Sequence, residues 1–216
     1  MEEIIKKLLA DGKGLGAMDA SNPTMEKRMG ALGIVSTPES RCNFRELLVT
    51  TPGLGNYISG AILYDETIHQ KLSDGRTFVQ ALNDAGIIPG IKTDTGLVEL
   101  PCFPEEKVAQ GLDNLGERLS GYKKMGVKFT KFRTVAKIGR DIPTRICMED
   151  NAFIMALQTS ITQSIGLVPV IEPEVLMDGD HNLERCEEVT RTNLKVVFVK
   201  LADHKVDLSK MILKPN

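Results

Sequence analysis

Short apolar runs of strand length alternate along the chain with longer segments in which apolar residues recur every three or four positions. The strand candidates are Gly14–Asp19, Gly60–Tyr64, Ile87–Lys92, Val127–Arg133, Leu167–Glu172 and Ser209–Lys214, bounded by Gly or Pro. Between them, three sets trace one helix stripe each: Val108, Leu112, Leu115, Leu119 and Tyr122; Phe153, Leu157, Ile161 and Ile165; and Leu183, Cys186, Thr190, Leu194, Val197 and Leu201. Gly86, Gly126 and Gly166 stand just before strands, where a left-handed C-cap turns the chain back. Six successive βα units predict an α/β fold with parallel strands and right-handed crossovers, in one domain over residues 1–216.

Two architectures fit that pattern, a doubly wound sheet and a barrel. No GxGxxG or GxxxxGK[ST] follows any strand candidate, and Gly12-Lys13-Gly14 precedes its strand rather than following it. The pattern therefore favours a TIM (β/α)8-type barrel, of which about six βα units are present. In such a barrel chemistry sits at the C-terminal ends of the strands. Charged residues stand at or near five of the six: Asp19, Lys92 with Asp94, Lys131 with Arg133, Glu172 with Glu174, and Lys214. A single charge there is an ordinary exit into solvent. Five together point to a site, and Lys131 most of all, because it shares a strand face with Val127 and Phe129.

Composition narrows the chemistry. Of 216 residues, 42% are hydrophobic and 26% charged, with a net charge of -2, so disorder and a broad nucleic-acid footprint are excluded. No apolar run reaches the ~20 residues that span a bilayer, and the start lacks a signal-peptide h-region, so a cytoplasmic protein without membrane contact is expected. Cys42, Cys102, Cys147 and Cys186 form no CxxC pair and read as buried reduced thiols; His69, His181 and His204 are dispersed, so no metal site is expected. Asp178-Gly179-Asp180-His181 reads as a polar turn before a helix. Glu105-Glu106-Lys107, Lys123-Lys124 and Glu187-Glu188 read as solvated helix faces, and Met25, Met29, Met125, Met148 and Met155 as packing residues.

With no Ser elbow and no Cys-His pair, lysines and carboxylates remain, a combination that points to Schiff-base chemistry. An amine attacks a ketone only when neutral, and burial or a neighbouring cation lowers the ~10.4 pKa of free lysine. Lys214 ends the run Met211-Ile212-Leu213 and is the natural nucleophile, with Lys131 or Lys92 as the neighbouring cation. Glu172 is the expected acid/base, its pKa raised toward neutrality by an apolar rim. Arg28, Lys92 and Arg133 would hold anionic substrate groups, most simply phosphates.

Six segments then occur in order: Gly12-Lys13-Gly14 with Asp19; Gly90-Ile91-Lys92-Thr93-Asp94; Phe129-Thr130-Lys131-Phe132-Arg133; Val168-Pro169-Val170-Ile171-Glu172-Pro173-Glu174; Asp178-Gly179-Asp180-His181; and Leu213-Lys214-Pro215-Asn216. In these the chain resembles the class I, metal-independent fructose-1,6-bisphosphate aldolases of glycolysis. The resemblance implies an imine on Lys214, dehydration and hydrolysis through Glu172, uptake of the C4 hydroxyl proton by Asp19, and stabilisation of developing charge by Lys131. It implies substrate contacts from Ser21, Thr24, Arg28, Arg41, Lys92 and Arg133, no cofactor, a phosphorylated sugar substrate, and a homo-oligomer, a tetramer in the family.

The chain also departs from that pattern. Ala20 stands where commoner family sequences place an acid, Thr24 where they place Ser, and Thr95 where they often place a base. It stops two residues after Lys214, whereas the family continues through two further βα units, a C1-phosphate site and a tail with a terminal Tyr. On that basis a chain ending here is expected to have unpaired sheet edges, either to belong to a longer polypeptide or to self-associate or misfold on its own, and to leave Lys214 with nothing to hold it. The rival readings are a non-catalytic fragment or isoform with a scaffolding role toward a cytoskeletal partner, and another lysine aldolase such as a transaldolase.

Overall fold

The computed structural model describes residues 1–215; Asn216, the last residue of the Leu213–Asn216 segment, lies outside the described residues. In chain order the elements are α1 (Glu2–Leu8), β1 (Gly14–Ala17), α2 (Asn22–Gly30), α3 (Pro38–Val49), β2 (Ile58–Leu63), α4 (Asp65–His69), α5 (Phe78–Asp84) and β3 (Ile88–Lys92). These are followed by β4 (Gly96–Glu99), β5 (Lys107–Gln110), α6 (Leu115–Lys124), β6 (Phe129–Ala136), α7 (Arg145–Ile165), β7 (Val168–Val175), α8 (Leu183–Asp203) and β8 (Ile212–Leu213). Contacts divide the chain into two compact units. One holds Glu2–Lys92 and Tyr122–Thr130; the other holds Thr93–Gly121 and the residues from Lys131 onward, with Met1.

In the first unit β1 pairs in parallel with β2, and β2 with β3, with Gly60 opposite Ile88 and Leu63 opposite Ile91. The opening of β6 follows β3, tied by the Lys128 N–H donating to the Pro89 carbonyl at 2.9 Å. Gly60 and Gly90 make room for one ring. A methyl group built on Gly90 would sit within the Phe129 ring, and one on Gly60 would meet Leu8 Cδ2 and, at 3.1 Å, Phe129 Cε1. Phe129 is fully buried, so the strand faces close on it. Helix starts are set by side-chain caps: Thr37 with Ser40 and Thr77 with Gln80 each form a reciprocal capping box, and Pro38 opens α3 where its missing N–H costs nothing.

In the second unit the remainder of β6 is followed by β7 and β8. The parallel β7–β8 pair sets Val170 opposite Ile212 and Ile171 opposite Leu213. Thr144 caps α7 and Gly166, with φ 80°, ends it in the left-handed conformation expected there. Between β7, α7 and α8 lies a core of Ala152, Met155, Ala156, Ile171, Val197, Leu201, Val206 and Met211.

All six strand candidates are strands, at shifted bounds. The sixth shrinks to two residues because Ser209 belongs to a 3-10 turn over Leu208–Lys210, in which the Asp207 side chain caps the Ser209 N–H. The stripe from Val108 to Tyr122 is corrected: Val108 lies in β5 of an antiparallel β4–β5 hairpin, and the helix starts at Leu115. The Glu105-Glu106-Lys107 run is not a helix face. Glu106 is buried and accepts from the Thr144 N–H at 2.7 Å and its hydroxyl at 2.6 Å, while Lys107 opens β5. Along α7 the buried face holds Asn151, Met155, Gln158, Thr159 and Thr162, and Phe153 is exposed, so its stripe is not the core face. Met125 is exposed, unlike Met25, Met29, Met148 and Met155. Of the cysteines only Cys147 is buried, and Cys102 is exposed. Burial first, then the Glu106 carboxylate, pushes the Cys147 thiol up to about 12.

Candidate active site

In the second unit, β6, β7 and β8 each contribute one ionisable residue to a single cluster. Lys131 shares the face of Phe129 and Arg133 on β6, Glu172 shares that of Val168 and Val170 on β7, and Lys214 follows directly after β8. Lys131 Nζ stands 2.6 Å from Glu172 Oε2, and Lys214 Nζ donates to Glu172 Oε1. The Lys131 and Glu172 side chains are almost fully buried, whereas that of Lys214 is 39% exposed. Lys214 is also held through its backbone, whose N–H donates to the Ile171 carbonyl at 2.8 Å. The expectation that nothing holds it is therefore corrected.

The expected ionisation of Glu172 is corrected too. Burial pushes its carboxyl up, but the Lys131 charge and hydrogen bond, reinforced by Lys214, outweigh that and hold it below the ordinary carboxylate range. The apolar neighbours that suggested a raised value are present, and two cations override them. A carboxylate between two ammonium groups can take a proton from either and return it to a departing hydroxyl.

Supports reach the cluster from the segment after β3. The Thr93 N–H and hydroxyl both donate to the Lys131 carbonyl, at 2.9 and 3.2 Å, and Arg118 donates to the carbonyls of Thr93 and Gly111. Asp94 Oδ2 accepts from the Arg133 backbone N–H at 3.3 Å, and the Arg133 side chain pairs with Glu174. Arg133 also lines a cavity of about 390 Å³ with Leu97, Glu105, Lys107, Val135, Lys137 and Leu176.

The remaining predicted residues belong to the first unit. Asp19 is buried, two residues past the end of β1. Ser21 and Thr24 share a hydroxyl hydrogen bond at 3.0 Å, and Thr24 and Arg28 line an open depression of about 590 Å³ with Pro23, Lys27 and Ala31. Lys92 ends β3 with its Nζ 5.8 Å from the Tyr64 ring centroid. Arg41 is buried and bidentate on Glu66, Nε to Oε2 at 2.8 Å and Nη2 to Oε1 at 2.5 Å. That hydrogen bond first, and the Arg41 and Arg45 charges, hold Glu66 below its ordinary range against its burial.

Residues to which the sequence assigned no role at the site are Arg45, Tyr64, Glu66, Thr93 and Arg118. A signal existed for two of them: Arg45 follows Arg41 by one helical turn, and Asp65-Glu66 directly follows the strand candidate Gly60–Tyr64, the one strand end at which the sequence pointed to no charge. Among the described residues no group of three or more His, Cys, Asp or Glu could hold a metal ion, and no helix is long and apolar enough to cross a membrane.

A family model described as fructose-bisphosphate aldolase class-I matches residues 1–216. The probable class 1 fructose-bisphosphate aldolase of Xanthomonas campestris is 48% identical over 216 residues, covering 100% of this chain and 65% of that protein. The fructose-bisphosphate aldolase of Drosophila melanogaster is 46% identical over 217 residues, covering 100% and 60%. A solved structure of Plasmodium falciparum fructose-bisphosphate aldolase, in a ternary complex with TRAP and a small-molecule inhibitor, matches with a TM-score of 0.97 at 44% identity, over 100% of this chain and 62% of that one. The chain thus spans less than two thirds of the length of these relatives. The fold is α/β of the TIM (β/α)8 type, with six of its parallel strands in this chain.

Proposed function

The chain belongs to the class I fructose-bisphosphate aldolase family, and from that premise we propose that it carries the imine-forming and cleaving groups of an enzyme that reversibly splits fructose 1,6-bisphosphate into dihydroxyacetone phosphate and glyceraldehyde 3-phosphate. The observation that carries the proposal is the Lys131–Glu172–Lys214 cluster, an amine nucleophile in hydrogen-bond contact with a carboxylate that a second cation holds in place.

In the proposed reaction Glu172 takes a proton from the Lys214 ammonium, and the neutral amine adds to the C2 carbonyl to give a carbinolamine. Glu172 returns its proton to the hydroxyl, water leaves, and a cationic iminium joins Lys214 to C2. Asp19 then removes the C4 hydroxyl proton, the C3–C4 bond breaks, and its electron pair flows to the iminium nitrogen, leaving a neutral enamine and releasing the aldehyde. Lys131 stabilises the negative charge that develops meanwhile. C3 takes up one proton, balancing the one held by Asp19, and water adds to the iminium through the reverse of the first steps. Ser21, Thr24, Arg28, Arg41, Lys92 and Arg133 are proposed to contact substrate hydroxyls and phosphate. The proposed assembly is a homo-oligomer, its setting the cytoplasm.

Borohydride added to the intact native polypeptide with dihydroxyacetone phosphate should leave a secondary amine on Lys214, insensitive to EDTA. An adduct mapped to another lysine, or activity lost to the chelator, would falsify the assignment.

A further inference from the structure

In the first unit the loop leaving β1 carries Asp19, Ala20, Ser21 and Asn22, and two of these are tied to one buried cluster. Arg45 is only 1% exposed. Its Nη2 donates to the Ala20 carbonyl at 2.7 Å, its Nη1 to Glu66 Oε2 at 3.4 Å, and its guanidinium carbon lies 5.6 Å from the Tyr64 ring centroid. Glu66 accepts from Asn22 Nδ2 at 3.4 Å, so the loop is anchored on both sides of Ser21.

A buried guanidinium is costly, and where only volume is needed an apolar residue serves as well or better. What an apolar residue cannot do is bond a loop carbonyl and a carboxylate at once from one rigid fork, a geometry lysine also lacks. We propose that Arg45 is a positioning residue, which through the Ala20 carbonyl and Glu66 fixes the loop that presents Asp19 for carbon–carbon cleavage. This rests on the aldolase reading given above. A proton acceptor displaced by about 1 Å loses about 100-fold in rate.

The test uses the intact native polypeptide with Arg45→Lys, Arg45→Met and Glu66→Gln, comparing borohydride trapping on Lys214 with single-turnover cleavage. Trapping needs Lys214 and Glu172 but not Asp19. Arg45→Lys should keep trapping within about threefold while cleavage falls about 10- to 100-fold, with Arg45→Met at least as severe and Glu66→Gln milder. Arg45→Lys added to Asp19→Asn should slow cleavage no further, since both act on one group. If Arg45→Lys does not fold, Glu66→Gln, which keeps the side-chain shape, carries the same comparison. Trapping and cleavage falling together in step with the folded fraction would make Arg45 merely structural and overturn the inference. So would unchanged cleavage in all variants, or additive losses with Asp19→Asn. A wild-type protein that neither traps nor cleaves would instead sink the aldolase reading and the inference with it.

Discussion

At the scale of single residues, the decisive arrangement is one carboxylate shared by two ammonium groups. Lys214→Arg keeps a cation facing Glu172 but cannot form an imine, so it should abolish trapping and cleavage while leaving the unfolding transition in place. Lys131→Met tests the other arm. The Lys131 charge is the largest of the influences holding Glu172 low, so its removal should raise the Glu172 pKa and move the acid limb of the trapping rate toward neutral pH. A limb that stays put would show that Lys214 alone sets the ionisation. Glu172 and Lys214 were legible in the sequence because each ends an apolar run, and Lys131 because it shares a strand face with Val127 and Phe129; in both settings a charge is out of place unless it has work or solvent. The ionisation of Glu172 was not, since it depends on two nitrogens brought beside it from β6 and β8. Arg45 was equally hidden: on a helix it reads as one more surface cation until Ala20 and Glu66 are seen around it.

At the scale of elements, the caps and the glycines that admit large side chains make separate demands. Thr144→Ala removes the acceptor for the Cys147 N–H at 3.2 Å and a donor to Glu106, and should cost about 1 kcal/mol or more in denaturant unfolding. Gly90→Ala drives a methyl group into Phe129 and should cost about 1–3 kcal/mol by overpacking, whereas Gly75→Leu on an open turn should not be used as its control because φ there is 88°. A Gly90→Ala protein as stable as the parent would mean that β3 shifts freely against β6. The βα alternation was legible because buried parallel strands are short apolar runs and Gly closes helices such as α7. The β4–β5 hairpin was not. Its residues Gly96–Glu99 and Lys107–Gln110 alternate too briefly to stand out, and Val108 falls by chance in phase with Leu112 and Leu115. The face of α7 was misjudged for another reason: its buried side is built partly from Asn151, Gln158, Thr159 and Thr162, which find partners inside, as when Asn151 bonds the Lys107 carbonyl at 2.8 Å and the Ala109 N–H at 3.1 Å.

At the scale of the whole molecule, each of the two units keeps an ionised carboxylate beside at least one buried cation, Glu66 in one and Glu172 in the other, and both are held below the ordinary value of 4.5. Asp207, capping the turn before β8, is lowered to about 2 by Lys210 first and Ser209 next. A carboxylate with a depressed folded pKa binds fewer protons folded than unfolded. Its contribution is therefore complete above the unfolded value and disappears as pH falls through the folded one. The melting temperature should stay nearly level from neutrality down to about pH 5 and fall steeply below about pH 4. Glu66→Gln and Glu172→Gln should each begin lower at neutral pH, because a buried cation loses its partner, yet decline less steeply in acid. Melts across this range on the two single variants and the double variant decide the point. If the double variant declines as steeply as the parent, the acid sensitivity lies in carboxylates other than these two.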